Sequence, residues 1–190
     1  MNDAEFFKQE IEKAEALARL ERVAERAIKL SYQSALENGK DLPVGAVALR
    51  GSMIIGSGFA MDQYKGQHNQ HAEVVAIAQA EQDFYMVPDT IVSTLEACTA
   101  CQTHMATLRP LTTFAFVIPR ATVAERGLVT PRPPMPITLP FDIIHLDNPS
   151  LQQKALAPLR RTTRDTATGI VTIDQDGVLA DKQALYAQRI

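Results

Sequence analysis

The stretch HAEVVAIAQAEQDFYMVPDTIVSTLEACTAC, residues 71–101, carries the most informative pattern in the chain. Its periodicity predicts a helix that starts at or near His71 and then a buried strand over Thr90–Leu95. A second helix is expected over Cys98–Arg109, where Pro110 stops it. Helix, strand and helix in this order indicate an α/β fold, with His71 and Cys98 at the start of the two helices.

Three of these residues are candidate metal ligands, namely His71, Cys98 and Cys101. The two cysteines stand at i and i+3 and so share one helix face. A helix N-terminus lowers the pKa of a cysteine, and thiolate is the form that binds metal. One imidazole and two thiolates suit zinc, and without a fourth protein ligand one position stays open for a water whose pKa the metal lowers. Glu73, two residues after His71, is the candidate catalytic residue that moves protons.

Simpler interpretations of the same residues remain open. Free cysteines often behave as small buried hydrophobic residues, and a buried histidine is common. A redox Cys-x-x-Cys pair would leave the His71-Ala72-Glu73 motif unexplained. A structural zinc site would need a fourth ligand. Only the catalytic zinc site accounts for both motifs together, and we favour it.

The flanking sequence predicts further elements on both sides of this stretch. A helix over Ala4–Asn38 ends at Asn38-Gly39, and its first apolar residues belong either to it or to a separate helix. A hairpin follows around Gly51-Ser52. The hairpin strands are Val44–Arg50 and Met53–Phe59, and later strands are expected at 112–118, 141–146 and 169–173. Helices are expected at 151–161 and after an Asp176-Gly177 turn. Loops are expected at 62–70 and 131–136. These elements predict a mixed sheet with helices on both faces.

Length and composition narrow the class of protein. A chain of 190 residues is long enough for one domain with a sizeable core. Its net charge of -3 gives no overall attraction to nucleic acid or an anionic membrane. The sequence has no apolar run of roughly 20 residues, and its acidic, amphipathic start does not resemble a signal peptide. We therefore expect a cytoplasmic protein without a membrane partner, whose two cysteines do not form a disulfide framework.

Taken together, the His71-Ala72-Glu73 motif, the Cys98–Cys101 motif and the segment LPVGAV at residues 42–47 resemble the cytidine and deoxycytidylate deaminase superfamily. Within it, the chain looks most similar to the tRNA-specific adenosine deaminase and guanine deaminase branch, over about residues 20–120. The resemblance implies a three-layer α/β/α sandwich on a mixed five-stranded sheet, a Zn²⁺ cofactor and a homodimer. We expect a single domain over residues 1–190, with its core at about 20–160, an N-terminal helical extension and a C-terminal tail.

The chain departs from this family at two positions. Ala97 stands where the signature has proline, and because alanine can adopt the same backbone angles we expect zinc binding to survive. Ala60 stands where many relatives carry an asparagine that contacts the substrate, so the substrate cannot be carried over. Aligned with the family, the candidate substrate-binding residues are Ala46, Phe59, Ala60, His68 and Asn69.

The resemblance implies a zinc-dependent hydrolytic deaminase that removes an exocyclic amine from a nucleobase or nucleoside. The changes at Ala60 and Ala97 leave open a catalytically inactive, zinc-stabilised binding module, and a tRNA adenosine deaminase is a third possibility. His104, three residues after Cys101, could face the metal but is more typical of a packed or exposed helix histidine, and His145 lies in a predicted strand without an identified partner. The basic segment of Lys154, Arg160, Arg161 and Arg164 is interpreted as a solvated face rather than an RNA contact.

Overall fold

The centre of the fold is a five-stranded sheet. Its strands are β1 (Gly45–Arg50), β2 (Met53–Phe59), β3 (Thr90–Leu95), β4 (Thr113–Ile118) and β5 (Asp142–His145), in the spatial order β2-β1-β3-β4-β5. β1 runs antiparallel to both β2 and β3, whereas β3, β4 and β5 are parallel. The computed structural model describes residues 3–61, 70–130, 138–165, 167–168 and 170–187.

Helices cover both faces of this sheet, as the sequence predicts. They are α1 (Asp3–Glu37), α2 (Ala72–Phe84), α3 (Thr99–Thr107), α4 (Arg120–Ala124), α5 (Pro149–Arg160) and α6 (Gln175–Ala187). A second, two-stranded sheet pairs β6 (Thr162–Arg164) with β7 (Val171–Ile173). This arrangement confirms the mixed α/β sandwich. None of the described helices combines the length and hydropathy that a bilayer crossing requires.

The central strands alternate their side chains between two hydrophobic clusters. On β4, Phe114 and Phe116 pack with Met105 of α3 in one cluster. Ala115 and Val117, the residues between and after them, belong to the other cluster, which also contains Ile28 of α1. This period of two is the geometry of a strand buried on both faces. The sheet therefore holds α1 and α3 in separate layers.

The structure confirms most of the predicted elements and corrects one. α1 is a single helix that includes the first apolar residues, and the hairpin around Gly51-Ser52 is present. The predicted turn at Asp176-Gly177 is wrong, because both residues lie in the first turn of α6. There the Asp174 side chain accepts the Gly177 N–H at 3.0 Å, so the aspartate caps a helix. The sequence analysis also missed α4 and β6.

Candidate metal centre and its cavity

Two helix N-termini meet at the candidate metal centre. His71 is the residue before α2 and Cys98 the residue before α3, and both have extended backbones, with ψ of 154° and 166°. The Cys98 Sγ accepts the backbone N–H of Cys101 at 3.5 Å. Both ligand motifs therefore lie at N-caps, where free N–H groups favour negative charge and hence thiolate.

The three predicted ligands converge on one point. The His71 Nδ1 lies 3.1 Å from the Cys101 Sγ and 3.3 Å from the Cys98 Sγ, and all three ligand atoms lie within 4.8 Å of one another. Around zinc, with bonds of about 2.0–2.3 Å, nitrogen and sulfur ligands sit roughly 3.5 Å apart. The donor set and its spacing fit zinc, so these side chains are positioned to bind a metal ion.

The two cysteines differ in proton affinity although they are neighbours. A hydrogen bond from the Cys101 thiol is the main reason that the pKa of Cys98 falls to about 3. The same contact, together with burial, raises the pKa of the Cys101 thiol. Because thiolate is the form that binds metal, zinc binding would require the Cys101 thiol to release its proton.

Glu73 is buried beside the ligands, in the first turn of α2. Only 4% of its surface is exposed, and burial raises the pKa of its carboxyl group. The Ser93 hydroxyl, on β3, donates to the Glu73 Oε1 at 3.0 Å and in turn accepts the Leu95 N–H at 3.4 Å. The strand therefore fixes the orientation of the carboxylate.

A cavity of about 210 Å³ opens beside this centre. Two of the ligands, His71 and Cys98, contribute to its wall together with Glu73. The other residues of the wall are Asp41, Leu42, Val44, Ala60, Ala72, Leu95, Glu96, Arg120, Val129, Arg164 and Val171. The loop before β1 and the small β6–β7 sheet thus form parts of one cavity with the metal centre.

Of the five predicted substrate-binding residues, the structure places one in the cavity wall. Ala60 lies in the cavity wall. Ala46 is fully buried opposite Ser93 in the sheet, and Phe59 ends β2 half-buried; neither is part of the described wall. His68 and Asn69 lie outside the described residues. These four assignments stay predictions.

Several wall residues were not found by sequence reasoning. Asp41 directly precedes the Leu42-Pro43 motif, a proximity that could have singled it out. Arg120 and Arg164 come from distant parts of the chain, and no local pattern marks them. Ser93 sits within an apolar strand, where its polar contact depends on which helix covers it.

The remaining histidines and basic residues have other surroundings. His104 lines a second cavity with His71 and Cys101 but is not one of the three converging ligands. His145, for which the sequence identifies no partner, stacks on Phe116 at a centroid distance of 5.1 Å.

Two of the four residues of the basic segment have carboxylate partners. Lys154 pairs with Glu25, and Arg161 pairs with Asp174 and Asp181. These two cations therefore do not add to a continuous positive surface, whereas Arg164 lies in the wall of the cavity beside the metal centre.

Fold and site together define an α/β sandwich with a His–Cys–Cys metal centre at two helix N-termini and a buried carboxylate beside it. The sequence profile of the cytidine and deoxycytidylate deaminase zinc-binding region matches residues 17–117. The chain belongs to this deaminase family, and zinc is its cofactor. Comparison with curated protein sequences gives no significant match.

Solved structures of similar fold come from the predicted branch. A protein in complex with 2,6-diaminopurine has a TM-score of 0.64 at 17% identity, over 74% of this chain and 79% of that chain. A tRNA:A34 deaminase has a TM-score of 0.53 at 19% identity, over 65% of this chain and 96% of that chain. The guanine deaminase of Bacillus subtilis has a TM-score of 0.51 at 23% identity, over 74% of this chain and 90% of that chain.

Proposed function

We propose that the protein is a zinc-dependent hydrolytic deaminase that releases ammonia from a nucleobase or nucleoside. The observation that carries this proposal is the convergence of the His71, Cys98 and Cys101 ligand atoms next to the buried carboxylate of Glu73, at one cavity. Three protein ligands leave a coordination position for solvent, which is typical of catalytic rather than structural zinc.

Each residue then has one role in the reaction. When bound, zinc acts as a Lewis acid that lowers the pKa of a water at the open position. Glu73 takes a proton from the attacking water and returns it to the substrate, so that the carbon gains oxygen and the amine leaves as ammonia. Ser93 holds the Glu73 Oε1 in place at 3.0 Å. Low exposure of Glu73 keeps bulk water from competing for this proton.

A small base or nucleoside is the preferred substrate. The structural neighbours include a complex with 2,6-diaminopurine and a guanine deaminase, and two cations of the basic C-terminal segment, Lys154 and Arg161, are paired with carboxylates. A tRNA substrate is the alternative that the tRNA:A34 deaminase neighbour suggests. It requires anticodon-stem binding that weakens steeply with salt. We further propose a cytoplasmic location, because both cysteines serve as reduced ligands, and a homodimer.

Purified protein tests the proposed reaction directly. We expect about one zinc per chain and ammonia release from one member of a panel of cytosine, guanine, adenine and their nucleosides. Glu73→Ala should keep the zinc and lose turnover by at least about 100-fold, because general acid–base catalysis contributes that much. Glu81→Ala, on an exposed turn of the same helix, is the matched control. Native turnover in Glu73→Ala would refute the proton-transfer role.

A non-catalytic binding module is the second candidate, motivated by Ala60 and Ala97. At the second position the Gln102 side chain donates to the Ala97 carbonyl at 3.1 Å, a contact that a proline carbonyl could accept equally well, so the change to alanine does not remove it. Full zinc content with no ammonia from any panel member would favour the binding module over the enzyme.

A further inference from the structure

The outer segment of α1, residues 5–17, is exposed along its whole length. Every side chain in it is open to solvent, and full burial begins only further along the helix, at Val23 and Ala24. At 1.5 Å per residue the segment is about 20 Å long. Most of the stability of helices in proteins comes from packing of an apolar face, and the exposure of this segment leaves it without such packing.

One face of the outer segment is nevertheless apolar. Four residues follow one another at spacings of four, three and four and form the apolar stripe, namely Phe7, Ile11, Ala14 and Ala18. Phe7 is 63% exposed and Ile11 is 59% exposed. The Phe6 ring meets the Phe7 ring edge to face at a centroid distance of 5.9 Å and widens the apolar surface there. This spacing is that of the contact positions of a coiled coil, so the stripe is suited to a second helix.

A second copy of the same helix complements the stripe when the two helices are antiparallel. In one register Phe7 lies opposite Ala18 of the second copy. The same register places Ile11 opposite Ala14 of the second copy. Each large side chain then meets a small one, and two-fold symmetry repeats both contacts. The stripe is therefore complementary to itself in shape.

The charges beside the stripe favour the same orientation and register. In this antiparallel pair Lys8 lies beside Glu15 of the second copy, and the attraction occurs twice. A shift by one heptad in either direction would place two Lys8 side chains or two Glu15 side chains together. Parallel helices would instead bring Glu10 beside Glu15 of the second copy, again twice. Only one of these four arrangements joins opposite charges.

The fold also leaves space for the largest side chain of the stripe. A groove of about 300 Å³ opens between α1 and the start of α5. Ala18, Arg22 and Leu151 contribute to its wall. Because Phe7 of the second copy faces Ala18 in the antiparallel pair, its ring lies at this groove. Burial of such a ring is favourable by about 1.5–3 kcal/mol relative to its exposed state.

We infer that the outer segment of α1 is an interaction surface for a second copy of this chain, which binds in antiparallel orientation through the apolar stripe. The inference rests on the proposed homodimer, to which it assigns a surface, and is independent of the proposed reaction. A second copy is favoured over an anionic membrane, because residues 5–17 contain twice as many acidic as basic residues.

Sedimentation velocity of the zinc-loaded full chain over a series of concentrations measures this association. We expect the wild type to assemble and Ile11→Glu to halve the assembled mass. Its Kd should rise roughly 10-fold or more, because the new carboxylate must lose water against Ala14 of the second copy. Ala16→Glu adds the same charge on the opposite, exposed face of the helix and is the matched control. Zinc content should equal that of the wild type in both variants.

Charge reversal tests the orientation of the two helices. Lys8→Glu alone should weaken the assembly, because the new carboxylate faces Glu15 of the second copy, and Glu15→Lys alone should weaken it as well. The two substitutions together should restore it. Stronger assembly of Glu15→Lys alone would overturn the antiparallel arrangement, since that change relieves the repulsion from Glu10 in a parallel pair.

The remaining outcomes are equally decisive. A wild type that stays monomeric at every concentration would overturn the inference, and its binding to vesicles of phosphatidylcholine and phosphatidylglycerol would assign the stripe to a lipid surface. Ile11→Glu protein with the mass of the wild type would also overturn it and leave the homodimer to another surface. Equal dissociation of Ala16→Glu would show that the stripe is not the contact. Assembly as expected without ammonia release would refute the proposed reaction alone.

Discussion

Ser93 joins the central sheet to the proposed catalytic carboxylate by a single hydroxyl. Its Oγ lies 3.0 Å from the Glu73 Oε1, and both side chains are almost fully buried. In such surroundings a hydrogen bond to a carboxylate is strong, and its loss removes one of the contacts that orient the carboxylate. We therefore expect Ser93 to act as a positioning residue for Glu73.

Removal of this hydroxyl should slow turnover without loss of the metal. We expect Ser93→Ala to lower kcat roughly 10- to 100-fold, with KM little changed, and Ser93→Thr to restore most of the rate because it keeps the hydroxyl. Steady-state ammonia release together with zinc content measures both effects. Ser57→Ala, which removes a serine hydroxyl on β2 that contacts Gln79, should behave like the wild type. An equal loss in the alanine and threonine variants would contradict a role for the hydroxyl.

At this scale the sequence predicts the residues that local spacing brings together. His71 and Glu73 share one helix start, and Cys98 and Cys101 share another, so their proximity needs only two helix N-termini that face each other. Arg120 and Arg164 could not be predicted in the same way. They come from parts of the chain far from both motifs, and only tertiary packing brings them to the cavity wall.

The position of α2 depends on close contact with β2. At Gly56 a Cβ atom would overlap the carbonyl oxygen of Ala76, and at Gly58 it would lie 2.7 Å from the Cβ of Val75. Two glycines, one on each side of Ser57, thus let the helix approach the strand more closely than any side chain would permit. Because α2 carries Glu73 and follows His71, the same contact determines where these two side chains lie relative to the sheet.

Addition of one methyl group at this contact should disturb both the fold and the site. We expect Gly56→Ala to destabilise the protein by about 1–3 kcal/mol, since the backbone of α2 must move away. For a chain of this size that lowers Tm by roughly 2–12 °C. Zinc content should fall as well, because the His71 ligand moves with the helix. Thermal unfolding and metal analysis measure the two effects.

A control substitution on the same hairpin distinguishes loss of the Gly56–α2 contact from a general effect of substitutions in the hairpin. Ser52 is exposed in the turn between β1 and β2, and Ser52→Ala should leave Tm and zinc content unchanged. A Gly56→Ala protein that melts like the wild type would show that α2 can shift without cost.

Elements with a strong local pattern were predicted well, and those that depend on partners were not. β3 and the hairpin agree with their short apolar runs and the Gly51-Ser52 turn. β6 has only three residues, of which Thr163 and Arg164 are exposed, so only its pairing with β7 defines it as a strand. The Asp176-Gly177 pair is typical of a turn, but Asp174 caps the helix that contains it.

On the scale of the whole molecule, the metal centre lies where the N-termini of α2 and α3 meet, and the same two helices share a hydrophobic cluster. His71 precedes α2, whereas both cysteines belong to the start of α3, and β3 lies between them in the chain. The cavity adds residues from the loop at Asp41 to β7 at Val171, so most of the chain participates in one site. Stability and site integrity are therefore coupled through the metal.

Removal of zinc should lower the stability of the entire fold. A ligand that binds only the folded state stabilises it by about 4 kcal/mol at a thousand times its Kd, which for this chain length corresponds to a Tm change of roughly 8–16 °C. We expect the chelated wild type to melt that much earlier and added zinc to restore Tm. His71→Ala, which lacks one ligand, should respond far less to chelator and is the control. If wild-type protein shown to be free of zinc melts at the temperature of the zinc-loaded form, the metal does not couple the two helices. An unchanged Tm would mean that zinc binds the folded and the unfolded chain equally well. The ligands would then contribute to the reaction but not to the stability of the fold.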